Sequence, residues 1–224
     1  KMRIAIITPY DSANFGAFLQ AYCLKVAVES MGHEVFHIPT RDAEHVKALY
    51  VKKRPTGKRD KLFPLHFYME NKYGAEKYEI FSKAHEVFTC RSLEKIDADL
   101  FILGSDEIWN INKPVFTKPF FWGQGLAPVI AYATSIGEAK PEDYGNRSNI
   151  VNALRDMRTI MVRDERTREM LKQAAGLDAE IVCDPTLLHP VLEDAEVLDD
   201  PYVKEHDCLL VYAYRLTLKQ RRTI

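Results

Sequence analysis

Two residues of types suited to enzyme chemistry follow short apolar runs of the sequence. Asp106 comes after the run Leu100–Leu103, and Arg163 comes after the run that ends at Val162. A carboxyl group can give and take protons, whereas the planar guanidinium of an arginine suits a phosphate or a carboxylate. Asp106 is therefore the candidate for acid–base work, and Arg163 is the candidate for binding an anion.

Both residues also have a purely structural interpretation. Asp106 can cap the turn that follows it. Arg163 can instead form an ion pair with a nearby carboxylate, the candidates being Asp164, Glu165 and Asp184. For either residue taken singly, the structural interpretation competes with the chemical one.

A helix start near the N-terminus offers further candidate binding residues. Asn14 is a typical N-cap, and Gly16 leaves the first turn open, so that free N–H groups there favour an anion or a sugar hydroxyl. Gln20 lies one turn further along the same helical face. The alternative is a well-capped helix in which Gly16 packs against the sheet.

Three more residues just beyond apolar runs are candidates for substrate contacts: Ser105, Trp109 and Ser135. The indole of Trp109 can offer an apolar ring to a sugar while its N–H binds a hydroxyl. The alternative role of Trp109 is to fill the core.

Several familiar motifs are absent or lie in the wrong context. His33–His37 matches the zinc-protease pattern HExxH, but the segment is predicted to be a strand, in which residues four apart are separated by about 13 Å. The junction after the first strand lacks the GxGxxG of a dinucleotide site, and no phosphate-binding GxxxxGK[ST] loop occurs. Neither the histidines nor the four scattered cysteines form a metal-binding cluster.

The elements that must position these side chains follow from the hydrophobic pattern. Short apolar runs alternate with amphipathic stretches, which is typical of βαβ units in a mostly parallel sheet. The sequence therefore predicts an α/β, Rossmann-like sandwich with ligands beyond the carboxyl ends of its strands. The predicted strands lie near 4–8, 34–38, 99–103, 128–134, 158–162 and 180–183. The predicted helices lie near 15–31, 68–88, 143–156 and 164–175.

Composition narrows the class of protein. The chain has 224 residues, of which 46% are hydrophobic and 28% charged, as in an ordinary globular protein. Its net charge of -1 gives no general attraction to nucleic acid. The apolar runs are too short to span a bilayer and the N-terminus does not resemble a signal peptide, so we expect a cytoplasmic protein.

Two segments break the alternating pattern. Residues 41–61 carry eight basic residues against three acidic ones, which predicts a solvated surface loop or, alternatively, a patch for an anionic substrate or a membrane surface. Residues 191–207 are acidic, contain Pro201 and predict a linker. We expect one domain over 1–190 and the first strand of a second domain over 208–224, the alternative being an extra strand on the first sheet.

Taken together, the motifs resemble the polysaccharide pyruvyltransferase family over about residues 3–190. They are Asn14-x-Gly16-Ala17-x-Leu19-Gln20-Ala21-Tyr22, Asp99-x-Phe101-Ile102-x-Gly104-Ser105-Asp106-x-x-Trp109-Asn110, Tyr132-Ala133-x-Ser135-x-Gly137, Val162-Arg163-Asp164 and Asp184-Pro185-Thr186-Leu187-Leu188. The sequence departs from the family at Glu107, where glutamine is frequent, and in the basic stretch 41–61.

The resemblance implies a fold like that of the two-domain GT-B glycosyltransferases, with this chain as the N-terminal half. It implies transfer of a pyruvyl group from phosphoenolpyruvate to a sugar of a bacterial surface polysaccharide, without a further cofactor. Asp106 then serves as acid and base and Arg163 as the anion clamp, while Asn14, Gln20, Ser135 and Trp109 lie in the cleft. Further donor-binding Arg and His positions are expected beyond Ile224.

Two other functions remain open from the sequence. A glycosyltransferase that uses a nucleotide sugar can share this architecture, because the fold does not fix the donor. A non-catalytic glycan-binding module is the third hypothesis. The acceptor is a sugar or a lipid-linked glycan, a peripheral membrane contact fits the basic stretch, and a homodimer can cover an unfinished strand.

Overall fold

The computed structural model describes residues 1–52 and 64–190, together with Glu205, Thr217 and Gln220. The chain divides into two units, Lys1–His189 and Pro190–Ile224. The predicted linker and the predicted strand of a second domain fall almost entirely outside the described residues, and they stay predictions.

The core of the first unit is a parallel sheet of six strands in the order β2-β1-β3-β4-β5-β6. The strands are β1 (Arg3–Ile7), β2 (Glu34–His37), β3 (Leu100–Leu103), β4 (Val129–Thr134), β5 (Thr159–Val162) and β6 (Glu180–Ile181). Each strand occurs where the apolar pattern predicts one. The predicted α/β, Rossmann-like fold is confirmed.

Five α-helices accompany the sheet in the described part of the chain. They are α1 (Phe15–Ser30), α2 (Ala43–Tyr50), α3 (Pro64–Ala84), α4 (Ser148–Arg155) and α5 (Glu165–Ala175). The two helices whose ends matter most for the site begin at capping side chains. Asn14 accepts a hydrogen bond from the Gly16 amide at 2.8 Å, and Asp164 accepts one from the Thr167 amide at 2.9 Å.

The central strands β1 and β3 are buried on both faces, because successive residues of a strand point to opposite sides and both sides of these strands are covered. In β1, Ile4 and Ile6 pack with Leu24 and Val28 of α1. The alternate residue Ile7 packs into the larger cluster on the other face, to which α4 and α5 also contribute. The strands therefore read as continuous apolar runs, as expected for a sheet covered by helices on both sides.

Two local interpretations of the sequence are settled by the fold. His33 and His37 do not form a zinc site, because the segment is strand β2 with His37 fully buried. The expectation that 41–61 is a loop without regular structure is wrong in part, because α2 begins inside it. The side chain of Asp42 accepts a hydrogen bond from the His45 amide at 2.8 Å and caps that helix.

Among the described residues, no helix combines the length and the apolar character that crossing a bilayer requires.

The contact between α2 and α3 generates a prediction about stability. Gly74 of α3 lies so close to α2 that a methyl group there would overlap the carbonyl oxygen of Tyr50. We expect Gly74→Ala to lower the free energy of unfolding by about 1–3 kcal/mol through this overpacking, although alanine is the better helix former. Denaturation in urea measures the change.

Gly145→Ala is the matched control, because a methyl group at Gly145 meets no heavy atom within 4 Å. Its effect should stay within about 0.5 kcal/mol. A Gly74→Ala protein at least as stable as the unmodified chain would show that the two helices do not approach as described.

Candidate functional site

The carboxyl ends of the strands and the start of α1 enclose a pocket of about 300 Å³. Five of the eight residues singled out in the sequence line it. The lining residues are Asn14, Gly16, Ala17, Gln20, Asp106, Arg163, Asp184 and Thr186. The pocket thus gathers side chains from four chain segments that are far apart in the sequence.

An ion pair between Arg163 and Asp184 joins the ends of β5 and β6. Nη1 of Arg163 donates a hydrogen bond to Oδ2 of Asp184 at 2.8 Å. Nη2 of the same guanidinium lies 3.9 Å from Oδ1 of Asp106. The Asp184 partner considered in the sequence is therefore present, and one arginine faces two carboxyl groups.

Asp106 is held by its backbone in an uncommon conformation. Its φ is 80°, in the left-handed region that few residues other than glycine adopt. The Asp106 amide donates to Oγ of Ser105 at 2.6 Å, and its carbonyl accepts from the Ser135 amide at 3.0 Å. Such conformations cluster at functional sites, where the surrounding structure holds them in place.

The two carboxyl groups beside Arg163 have pKa values shifted in opposite directions. Burial raises the pKa of Asp106, and the Glu107 amide and the Arg163 charge offset this only in part. Burial also acts on Asp184, but hydrogen bonds from Thr186 and Arg163 outweigh it and lower the pKa of that carboxyl. The carboxyl of Asp106 therefore holds its proton to a higher pH than that of Asp184, an ordering found where one group acts as an acid and its neighbour as a charge partner.

Gln20 and Ser105 stabilise the pocket through hydrogen bonds on its buried side. Nε2 of Gln20 donates to the Ala17 carbonyl at 2.7 Å and to Oγ1 of Thr8 at 2.8 Å. The Thr8 hydroxyl in turn donates to the Ser105 carbonyl at 3.2 Å. Since Gln20 and Ser105 are both buried, their observed contacts position the strand ends.

The start of α1 has the capping of the structural alternative, but Gly16 is exposed and lines the pocket instead of packing against the sheet. The Gly16 amide already donates to Oδ1 of Asn14 and is not free for a ligand. Asn14 itself is exposed at the pocket wall, so its amide nitrogen is the group that this helix start can offer.

Ser135 and Trp109 do not line the pocket. The buried hydroxyl of Ser135 accepts a hydrogen bond from the Gly137 amide at 2.9 Å. Trp109 is fully buried, its Nε1 donates to the Phe121 carbonyl at 2.9 Å, and its ring stacks on Trp122. The prediction that Trp109 contacts a sugar is wrong, because neither face of the ring is accessible.

The sequence reasoning left Asp184 and Thr186 out of the candidate set. Asp184 follows a predicted strand just as Asp106 does and belongs to one of the motifs of the family resemblance, but it was assigned no binding or catalytic role from the sequence. Its Oδ1 accepts from the amide of Thr186 at 3.0 Å and from its hydroxyl at 2.9 Å. The Asp184-Pro185-Thr186 turn after β6 was the sequence signal that could have identified both residues as part of the site.

A family model described as polysaccharide pyruvyl transferase matches residues 14–221, which is most of the chain. The match includes the pocket and continues beyond residue 190, where the sequence predicts the first domain to end. Searches of the curated proteins and of the solved structures found no match.

The opposite pKa shifts predict opposite effects of two matched substitutions. A raised pKa in the folded state means that ionised Asp106 costs stability above the unfolded value of about 3.9. Asp106→Asn should therefore raise the free energy of unfolding at pH 7, and this gain should disappear by about pH 3. Asp184 has a lowered pKa, so it stabilises the fold above about pH 3.9 and loses this effect as the pH falls through its folded pKa.

Asp184→Asn should consequently destabilise the protein at pH 7, by about 1.5–3 kcal/mol for the loss of a charged hydrogen bond. Urea unfolding at pH 7 and pH 3 measures both variants. Equal destabilisation by the two substitutions at pH 7 would contradict the assigned environments.

Proposed function

The chain belongs to the polysaccharide pyruvyl transferase family, and we propose that it transfers the pyruvyl group of phosphoenolpyruvate to two hydroxyls of a polysaccharide sugar, forming a cyclic ketal. The observation that carries this proposal is the placement of Asp106 beside the Arg163–Asp184 ion pair in one pocket. A proton donor and a guanidinium within a few ångströms match a reaction that protonates an anionic donor.

The reaction needs one proton transfer to carbon and two bonds to sugar oxygen. An acid protonates the methylene carbon of phosphoenolpyruvate, which becomes the methyl group, and the first hydroxyl oxygen bonds to the adjacent carbon. The bond from that carbon to phosphate oxygen then breaks, and the second hydroxyl oxygen takes its place. Of the two hydroxyl protons, one balances the new methyl group and the other leaves with phosphate. No redox or metal cofactor is consumed, and we assign none.

We assign the acid and base roles to Asp106. Burial raises the pKa of this carboxyl, which keeps a larger fraction protonated near neutral pH than in an ordinary aspartate. After it has given its proton to the methylene carbon, the carboxylate is the base that accepts the proton of the attacking hydroxyl. One residue can serve both steps because the hydroxyl oxygen bonds to the carbon next to the methylene carbon, so the two proton transfers take place close together.

We assign Arg163 to the carboxylate or phosphate of the donor. Among the described residues lining the pocket, Arg163 is the only cation and faces the two carboxyl groups of Asp106 and Asp184. An anionic donor is therefore held best when Asp106 is protonated, which is also the state needed for the first step. Further positive charge for the donor is assigned in this proposal to a GT-B-like second half.

The acceptor side is assigned to the wall formed by Asn14 and Gly16. The exposed amide of Asn14 can bind a sugar hydroxyl there. Gln20 supports this wall through a buried hydrogen bond to Thr8, whereas Ser105 and Ser135 hold Asp106 through hydrogen bonds to its amide and its carbonyl. Phosphoenolpyruvate is a cytoplasmic metabolite, so the proposal places the reaction in the cytoplasm and leaves open whether the acceptor is lipid-linked.

The full-length protein with phosphoenolpyruvate and a glycan acceptor tests the assignment of Asp106. Asp106→Asn should lower kcat by about 10²–10⁴-fold, since the group that moves the protons is lost. Phosphate release gives the rate, and the new methyl signal in the NMR spectrum identifies the ketal. The matched control is Asp97→Asn, shortly before β3, where the exposed carboxylate pairs at 2.9 Å with Arg3 at the start of β1.

The same variants separate catalysis from binding. Asp106→Asn should bind phosphoenolpyruvate at least as tightly as the unmodified protein at pH 7, because a neutral amide replaces a carboxylate that repels the donor. Normal turnover by Asp106→Asn would refute the assigned role. A protein that neither binds phosphoenolpyruvate nor releases phosphate would favour the glycan-binding module, and turnover with a nucleotide sugar would favour a glycosyltransferase.

A further inference from the structure

A second ion pair lies beside Asp106. Nζ of Lys113 donates a hydrogen bond to Oε1 of Glu107, the residue that follows Asp106 in the chain. The backbone amide of Glu107 also donates to Oδ1 of Asp106 at 2.7 Å. The proposed reaction uses Asp106 and leaves both members of this ion pair without a role.

Two successive turns bring Lys113 back to Glu107. The Asn110 amide donates to the Glu107 carbonyl at 3.0 Å, and the Lys113 amide donates to the Asn110 carbonyl at 3.1 Å. The side chain of Asn110 is buried and donates to Oε2 of Glu107 at 2.9 Å. The backbone of Gly137 also approaches this carboxylate, since a methyl group on Gly137 would overlap the same oxygen. The Glu107 carboxylate is therefore confined, and it fixes the position of the lysine bonded to it.

Lys113 can bind a ligand while it is bonded to Glu107. A lysine ammonium has three N–H donors, and the structure shows one of them bonded to the carboxylate. The side chain of Lys113 is 41% exposed, compared with 25% for that of Glu107, so it is accessible from solvent. The charges of Lys113 and Arg163 both lower the pKa of Asp106, although burial outweighs them. Both cations therefore act on the carboxyl that the proposed reaction uses.

The donor requires more positive charge than Arg163 supplies. Phosphoenolpyruvate carries a carboxylate and a phosphate, whereas the guanidinium of Arg163 already pairs with Asp184 at 2.8 Å. In the described part of the chain, Lys113 is the second cation whose charge acts on Asp106. Two cations close to one proton donor match a substrate with two anionic groups next to its reacting carbons.

We propose that Lys113 binds the second anionic group of phosphoenolpyruvate, and that Glu107 is the positioning residue that holds Lys113 beside Asp106. The inference rests on the proposed function and adds a donor-binding residue to it. Arg163 holds one anionic group and Lys113 holds the other, which presents the methylene carbon to Asp106. The negative charge of Glu107 also repels the donor, so the two members of the ion pair have opposite effects on donor affinity.

Calorimetric titration of the full-length protein with phosphoenolpyruvate at pH 7, without acceptor, tests these opposite effects. Lys113→Gln should weaken binding about tenfold or more, since a charged contact to the donor is lost. Glu107→Gln should tighten binding about threefold or more, because the amide oxygen still accepts from Lys113 while the repelling charge is gone. Lys113→Arg keeps the cation and should retain most of the affinity. Circular dichroism and melting temperature verify that each variant folds.

Steady-state kinetics with the glycan acceptor separates donor binding from other roles. Lys113→Gln should raise KM for phosphoenolpyruvate about tenfold or more, and it should change kcat and the KM for the acceptor less than about threefold. The matched control is Lys95→Gln, which removes the same charge from an exposed lysine shortly before β3 and should leave these constants unchanged.

The outcomes distinguish this inference from the proposed function. An unmodified protein that does not bind phosphoenolpyruvate refutes the proposed function and the inference with it. If the unmodified protein binds and converts the donor, an unchanged affinity in Lys113→Gln refutes the role of Lys113 alone. Changes of the same direction in Lys113→Gln and Glu107→Gln do so too, because they indicate an ion pair that only stabilises the turn. A raised KM for the acceptor instead of the donor also overturns the inference.

Discussion

The ion pair between Arg163 and Asp184 is the central contact among the strand ends and the helix that form the pocket. It joins the ends of β5 and β6, and Asp184 also lies 3.5 Å from the hydroxyl of Ser105, which follows β3. Ser105 is connected through Thr8 to Gln20 of α1. Four segments that are distant in sequence are therefore fixed relative to one another by a short series of hydrogen bonds. Asp106 is connected to this series through its amide, which donates to Ser105.

The same hydrogen bonds give the two similar side chains Asp184 and Asp106 different environments. Asp184 has the better hydrogen-bond donors and so carries the negative charge that balances Arg163. Asp106 is buried with less compensation, 3.9 Å from the same guanidinium, and its pKa moves upwards. The two environments thus differ in the way that the proposed pyruvyl transfer requires, with Asp184 as the charge partner of Arg163 and Asp106 as the proposed proton carrier.

Much of this arrangement could be predicted because strands and parallel-sheet topology leave local signals. The apolar runs around Ile4–Ile7 and Leu100–Leu103 predicted strands that the structure contains. Because ligands bind beyond the carboxyl ends of parallel strands, the sequence also predicted that Asp106 and Arg163 lie near each other, and both line one pocket. Trp109 was misassigned because position after a strand does not tell whether the following turn points a ring outwards or into the core. Helix α2 was missed because basic residues and a nearby proline obscured eight helical residues. The choice of Asp184 as the partner of Arg163 depends on tertiary distances that no sequence spacing encodes.

The structure of the protein with phosphoenolpyruvate bound tests the central claim most directly. The account predicts the methylene carbon within about 3.5 Å of a carboxyl oxygen of Asp106, with the guanidinium of Arg163 on the carboxylate or phosphate of the donor. Phosphoenolpyruvate bound away from this pocket, or bound in it with its methylene carbon turned away from Asp106, would contradict the account.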